Sequence, residues 1–165
     1  MERYGWKLVI GVICLLASGS LAMAENTGKV SAELKAFKVL AAKDGREVFV
    51  NASVARPGET IEYRIRHANG TNGALQGLVV NGAIPAGTVY VAGSESKSEA
   101  LMFQAKVKHG KWAEPPLLKV VTGKDGKKRT VEVPPRDYAA VRWVRREALA
   151  ANAQSLIKYR VQVAQ

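Results

Sequence analysis

From residue 33 onward the chain alternates apolar and polar positions with a period of two. In Glu59–His67 (ETIEYRIRH), Ile61, Tyr63 and Ile65 fall on one side, and Glu62, Arg64 and Arg66 on the other. That is the pattern of a strand with one face in a core. The end of the chain repeats it: Ile157, Tyr159, Val161 and Val163 share one face, and Lys158, Arg160 and Gln162 the other. Val141 and Trp143 alternate with Arg142 in the same way. Further strands are predicted over Leu34–Ala41, Glu47–Ser53, Leu75–Asn81, Thr88–Ala92, Leu101–Val107, Leu117–Thr122 and Arg129–Val133.

Turn residues separate these segments. Asp44-Gly45 and Asp125-Gly126 suit the positive-φ positions of hairpins, and Pro57-Gly58 leads into the Glu59 strand. Pro115-Pro116 and Pro134-Pro135 bracket Leu117–Val133. Proline has no N–H for a ladder, so such pairs fit strand ends. The bracketed stretch, about residues 115–135, therefore reads as a hairpin inserted between two core strands. Only Glu147–Ala153 has a helix-like composition, enough for at most one turn. Many short strands with turns between them predict one all-β antiparallel β-sandwich over residues 33–165, with a closed barrel less favoured.

A different pattern governs the first 24 residues. Arg3 and Lys7 are followed by the uncharged run Leu8–Ala17, and then by Ala22-Met23-Ala24. This is the layout of a signal peptide over residues 1–24, with a run short for a membrane span. Cleavage is expected after Ala24, leaving a flexible lead of residues 25–32 and an exported protein, periplasmic, secreted or at the cell surface. An uncleaved anchor is the alternative. A lipoprotein signal is disfavoured because bulky Ile13 precedes Cys14. Cys14 is the one cysteine, so the domain must hold together without disulfides. No second long apolar run predicts a further membrane span.

Charge alters the picture more than composition does. The whole chain carries 25 Lys and Arg against 14 Asp and Glu. Without Arg3, Lys7 and Glu2, 23 basic residues remain against 13 acidic ones, a net charge of +10. Such a balance favours anionic partners: lipopolysaccharide, wall polymers, acidic proteins or nucleic acid. Nucleic acid is disfavoured by the leader and by the lack of a reading motif.

Several stretches resemble a known family. They are VARPGETIEYRI (Val54–Ile65), the loop Asn69–Asn72, IPAGTVYVAGS (Ile84–Ser94), YAAVRW (Tyr138–Trp143) and the closing segment Ser155–Val163. Together they are similar to the bacterial conserved-repeat domain, domain of unknown function number eleven. The resemblance implies an immunoglobulin-like sandwich in exported and cell-surface proteins, with no general enzymatic activity attached. Two positions depart from it. Gly82 stands where an aspartate is common, and Ala151-Asn152 where Pro-Gly is common.

Candidate chemistry is sparse. His67 lies at the inward end of its strand and fits a satisfied edge histidine better than a general base. His109, in KHGKW, reads as a hairpin tip without an acidic neighbour. Two histidines alone do not make a zinc site, and the scattered acids do not suggest calcium. Ser94 and Lys97 form an isolated Ser-x-x-Lys, without the accompanying motifs of penicillin-binding enzymes, in what reads as a solvated loop. The Gly-rich turn before Thr88 leads into a strand, not the helix that a phosphate cradle needs. No catalytic residue, cofactor or metal site is expected. Trp143 is expected in the core and Tyr138 at a corner of the fold; Trp112, in the Lys108–Glu114 turn, is expected to pack against the inserted hairpin, with an exposed contact point as the alternative.

The remaining candidates are basic. Lys124, Lys127, Lys128 and Arg129 gather at one hairpin tip. If Val141–Val144 paired with the last strand, Arg142 would join Lys158 and Arg160 on one outer face. The plain reading is a solvated face that blunts sheet edges; the functional reading is a polyanion-binding surface. The expected function is a non-catalytic exported structural or binding module of the bacterial cell envelope, with an envelope protein or anionic polymer as partner. A dedicated electrostatic polyanion binder is the alternative. An unrecognised enzyme would require a pocket with two or more converging ionisable side chains.

Overall fold

The computed structural model describes residues 29–165, and the signal-peptide reading lies outside them. The described chain forms ten strands. They are β1 (Val30–Ala41), β2 (Glu47–Asn51), β3 (Thr60–Asn69), β4 (Val79–Ala83), β5 (Thr88–Tyr90), β6 (Leu101–Lys106), β7 (Leu118–Thr122), β8 (Lys128–Glu132), β9 (Ala140–Arg145) and β10 (Gln154–Val163). A single 3₁₀ turn spans Pro135–Asp137. A five-stranded sheet, β2-β1-β3-β10-β5, packs on a three-stranded sheet, β4-β9-β6; β7 and β8 form a separate two-stranded ribbon. Every pairing between strands is antiparallel. This is the expected all-β sandwich with an inserted hairpin.

The alternating residues build the core. Ile61, Tyr63, Ile157, Tyr159 and Val161 from one sheet meet Val80, Ala105, Val141 and Trp143 from the other. A chain of rings crosses the interface, from Tyr63 through Tyr159, Trp143, Phe103 and Tyr90 to Tyr138, with centroids 5.2–6.1 Å apart. Pairs at such spacing stabilise beyond the area they bury. Trp143 is fully buried, as expected, and donates through Nε1 to the Ser96 carbonyl at 3.0 Å.

Pattern alone misplaces several boundaries. β1 begins at Val30 rather than Leu34, so residues 30–32, expected to be a flexible lead, pair with Asn69, Ala68 and His67 in turn. β2 ends at Asn51, short of Ser53. The fourth strand runs Val79–Ala83; upstream, Leu75 makes only an isolated bridge to Leu149. That bridge also holds Glu147–Ala153 as irregular chain without a helical turn.

The larger sheet overhangs the smaller. Leu34, Leu40, Val48 and Val50 keep the inward parity of β1 and β2, yet each is 39–57% exposed, because no strand of the smaller sheet lies above them. On the opposite face the overhang is closed by charge and aromatic rings. Glu62, 1% exposed, accepts from Arg64 Nε at 2.7 Å and Arg160 Nε at 2.9 Å. The Arg64 guanidinium lies 4.6 Å from the Phe37 ring and 4.3 Å from the Phe49 ring.

Asn81–Ser94 connects the sheets. β4 ends in the smaller sheet, the chain turns through Pro85 and Gly87, and β5 joins the larger one against β10. Thr88 N–H closes the turn on the Pro85 carbonyl at 3.0 Å, and Gly87 adopts φ +77°, a conformation costly for residues with a Cβ.

Candidate functional site

The basic residues singled out in the sequence separate into three places. Lys124 and Lys127 lie in the turn of the β7–β8 ribbon, Lys128 and Arg129 at the start of β8, and all four are exposed. Asp125-Gly126 forms the turn as expected: Gly126 has φ +72°, and Gly123 N–H reaches the Lys127 carbonyl at 2.9 Å. Arg129 Nη2 donates to Asp125 at 2.6 Å. Lys124, Lys127 and Lys128 have no ion-pair partner among the described residues. The ribbon itself packs chiefly strand on strand, anchored at its base by buried Leu117 and Val133, whose backbones are joined at 2.8 Å.

Arg142 does not join Lys158 and Arg160. β9 pairs with β4 and β6, whereas β10 lies between β3 and β5 in the opposite sheet. Both strands are central with apolar inward faces, so they stack across the core instead of lying side by side. Their outward cations therefore point in opposite directions. Arg142 Nε donates to Gln104 at 2.8 Å, and its guanidinium lies 4.6 Å from the Trp112 ring, with Lys106 Nζ 4.8 Å from the same ring. Trp112 is thus half-buried between two cations.

Arg160 is also committed within the fold. Its two terminal nitrogens each donate to Glu47 at 2.6 Å while Nε holds Glu62. Hydrogen bonding to Glu47 is the main reason its pKa is raised, and that to Glu62 adds to the shift. The same bond holds the Glu47 carboxyl below the usual carboxylate range. Lys158 is exposed on the neighbouring stretch of β10, opposite Arg64.

The Ser94–Ser98 stretch is not a free loop. Ser94 Oγ accepts from Arg160 N–H and Ser96 Oγ from Lys158 N–H, both at 2.9 Å. The two serines extend the edge of β10 beyond the point where β5 stops. Ser94 Oγ donates to the Val91 carbonyl at 2.6 Å, and Lys97 pairs with Glu95 at 3.1 Å, so serine and lysine do not form a nucleophile–base pair.

That stretch borders a cleft of about 510 Å³ whose lining includes Tyr90, Glu95, Phe103, Glu114, Glu132 and Tyr138. Sequence reasoning missed it, because its acids come from three distant segments. Burial pushes the Glu95 carboxyl up, but hydrogen bonds from Tyr90, its own backbone and Lys97 outweigh this and leave its pKa lowered. Burial is likewise the main reason the Tyr90 phenol is raised, with Glu95 adding to it. Glu95 is thus an anion whose oxygens are already engaged, a poor general acid.

A second groove, also about 510 Å³, lies at the foot of the ribbon. Val107, Ala113, Leu117, Leu118 and Val133 line it, together with Lys108, Lys111 and Lys119. The groove forms because the chain after β6 turns back at His109 (φ +62°), and Ala113 then pairs with Ala105 through two backbone bonds of 2.8 and 3.0 Å. The KHGKW motif gave the turn; the lysine at 119, eight residues downstream of Lys111, gave no sign that it would join the same rim.

His109 is exposed at that turn. His67 is 9% exposed, its Nδ1 has no partner, and burial lowers its pKa. Among the described residues no group of three or more His, Cys, Asp or Glu could hold a metal ion, and no helix is long and apolar enough to cross a membrane. No protein-family model, curated protein or solved structure matches the chain.

Proposed function

We propose that the protein is a non-catalytic, exported binding module of the bacterial cell envelope, and that the β7–β8 ribbon presents it to an anionic partner. One observation carries the reading. A two-stranded ribbon projects from the sandwich with Lys124, Lys127 and Lys128 exposed at its tip and free of ion-pair partners among the described residues. An isolated pair of strands is marginal in water, so a ribbon retained outside the core is better explained by what it contacts than by what it adds to packing. The leader pattern of residues 1–24 and the likeness to the conserved-repeat domain support export and an envelope setting.

Arg142 and Arg160 are excluded from the proposed surface, because Gln104 and Trp112 hold the first and Glu47 and Glu62 the second. Retention of the purified protein on its own envelope fraction, measured at low and high salt, tests the reading. Binding should weaken steeply with salt, and reversing Lys127, Lys128 and Arg129 to glutamate should abolish it. Retention indifferent to both changes would refute the electrostatic reading.

The Glu95 cleft supports a second reading, because several ionisable side chains line it. An activity lost in a Glu114→Gln/Glu132→Gln variant that still folds would turn the assignment towards an enzyme.

A further inference from the structure

We propose that the protein forms a two-fold homodimer in which β2 pairs antiparallel with β2 of a second copy, centred on Phe49. The inference is independent of the anionic-partner reading above.

β2 is an outer strand of the larger sheet, bonded to β1 alone. The register decides which of its backbone groups are used. Ala42 N–H reaches the Arg46 carbonyl at 2.8 Å and Ala52 N–H the Ala36 carbonyl at 3.0 Å, and both pairs continue the β1–β2 register. Alternate residues of an antiparallel strand bond the same neighbour. Val48 and Val50 therefore bond β1, and the N–H and C=O groups of Glu47, Phe49 and Asn51 point away from the sheet. They have no backbone partner among the described residues.

These three residues are self-complementary. With Phe49 opposite Phe49 of the second copy, Glu47 meets the second copy's Asn51 and Asn51 its Glu47. Each pair then exchanges both of its N–H···O bonds. Side chains fit the same register. Val48, 44% exposed, falls beside the second copy's Val50, which is 39% exposed in one copy alone. Apolar cross-strand pairs of this kind stabilise a sheet. No like charges face each other. Glu47 is held by Arg160 and meets a neutral amide, and Lys38, the cation beside Val50, is paired with Glu59 at 2.9 Å.

The other edges are closed or blunted. Ser94 and Ser96 take the free edge of β10 beyond β5, Ala113 pairs with Ala105 of β6, and Lys119, Lys128 and Arg129 lie along the ribbon. β4 offers Val79 as its one exposed large apolar side chain. Glu47–Asn51 (EVFVN) contains no lysine, arginine or proline, the residues that natural edges use against strand-on-strand association. A bare edge of valine and phenylalanine, in a chain with 25 Lys and Arg, fits a strand that is paired. A second copy is favoured over a foreign strand because one two-fold axis matches the donors, the valines and the charges together.

Sedimentation equilibrium over a range of concentrations tests the dimer, and amide hydrogen exchange followed by NMR locates it. Wild type is compared with Val48→Lys/Val50→Lys, with Val48→Glu/Val50→Glu and with Val48→Lys/Val50→Glu. All carry the same N-terminal segment. Both valines are exposed, so each variant should remain folded, which circular dichroism checks. Wild type should dimerise. The amides of Glu47, Phe49 and Asn51 should then exchange more slowly as concentration rises, while those of Val48 and Val50, already bonded to β1, change little. Pairing position 48 with position 50 sets like charges opposite each other in the first two variants and opposite charges in the third. The first two should each lose roughly a hundredfold in dimer affinity and form a heterodimer when mixed; the third should stay within about tenfold of wild type. Association should tighten as salt rises, because each copy carries a net positive charge and no ion pair spans the seam.

A wild type that stays monomeric up to about 1 mM would overturn the proposal, as would association that weakens steeply with salt. Dimers that the lysine variant leaves intact would place the contact elsewhere and overturn it too. A third variant as weak as the first two would refute the register centred on Phe49. Protection of these amides in a monomeric protein by added envelope extract would overturn the second copy in favour of a strand from another protein.

Discussion

Replacing Glu62 with glutamine should destabilise the fold by about 2 to 3 kcal/mol. The carboxylate is 1% exposed and accepts two guanidinium hydrogen bonds, of 2.7 Å from Arg64 and 2.9 Å from Arg160. Hydrogen bonds to a charged group contribute about 1.5 to 3 kcal/mol each, and removing one member of a fully buried ion pair costs about 3 to 5 kcal/mol. The lower part of that range applies because both arginines keep other support. Their side chains remain 30% and 23% exposed, Arg160 keeps Glu47, and Arg64 keeps the Phe37 and Phe49 rings. At about 3 to 4 °C per kcal/mol for a domain of this size, Tm should fall by roughly 6 to 12 °C. Thermal and urea unfolding followed by circular dichroism measures it. A double-mutant cycle with Arg64→Gln should give a coupling energy of about 1 kcal/mol or more, since the two side chains touch. Glu47→Gln, at the solvent side of the same cluster, should cost much less. A loss below about 0.5 kcal/mol for Glu62→Gln, with no coupling to Arg64, would refute the view that this carboxylate organises the outer face.

His67 and Gly82 offer two further tests. Burial lowers the His67 pKa, so the unfolded chain binds a proton there more readily than the folded one. Stability should therefore be full above about pH 6.5, the ordinary histidine value, and should fall as the pH drops below it toward the lower folded-state pKa. Its strand neighbours in register are Ala32 and Ser155, and Arg145 Nη1 donates to Ser155 Oγ at 3.5 Å, which brings a cation to the residue beside the histidine. His67→Leu should flatten the pH 5–7 stability profile; an unchanged profile would show that another group titrates. Gly82→Ala should cost about 1 to 3 kcal/mol in urea unfolding, because an added Cβ would lie 2.9 Å from Tyr159 Cε1 and 2.9 Å from Val141 Cγ2. The Tyr159 ring cannot swing aside freely, since it is 2% exposed and its hydroxyl donates to the Ala83 carbonyl at 2.6 Å. A neutral result would mean that this contact relaxes at no cost.

Period-two alternation determines which face of a strand is buried, and that much was legible. Ile61, Tyr63, Ile157, Tyr159, Val141 and Trp143 all lie in the core where the pattern put them. Turn chemistry was legible for the same reason: Asp125-Gly126 and the flanking proline pairs act within a few residues, and they delimit the ribbon correctly. Alternation says nothing about which strands become neighbours. β9 and β10 have equivalent patterns, and only the assembled sheets decide that they stack across the core. The supposed partnership of Arg142 with Lys158 and Arg160 failed on that point. The same blindness hid the partners of Arg160, since Glu47 lies 113 residues away in sequence.

Gly82 shows how a local sequence feature acquires its meaning from distant contacts. As a departure from the pattern that the sequence resembles, it suggested only a missing acid. In the fold it lies inward in β4 beneath Tyr159, a residue 77 positions later in the chain, where an aspartate side chain would have to displace that ring. The glycine-rich stretch around it carries the chain from one sheet to the other, and its free backbone geometry serves that crossing. The surface left for recognition is then the ribbon and its groove. There the cations Lys108, Lys111 and Lys119 are not spent on internal acids, and neither are Lys124, Lys127 and Lys128 at the tip. The buried cluster at Glu62 has the opposite character: every arginine near it has a partner, which fits a role in holding the sheet and leaves little there for a ligand to neutralise.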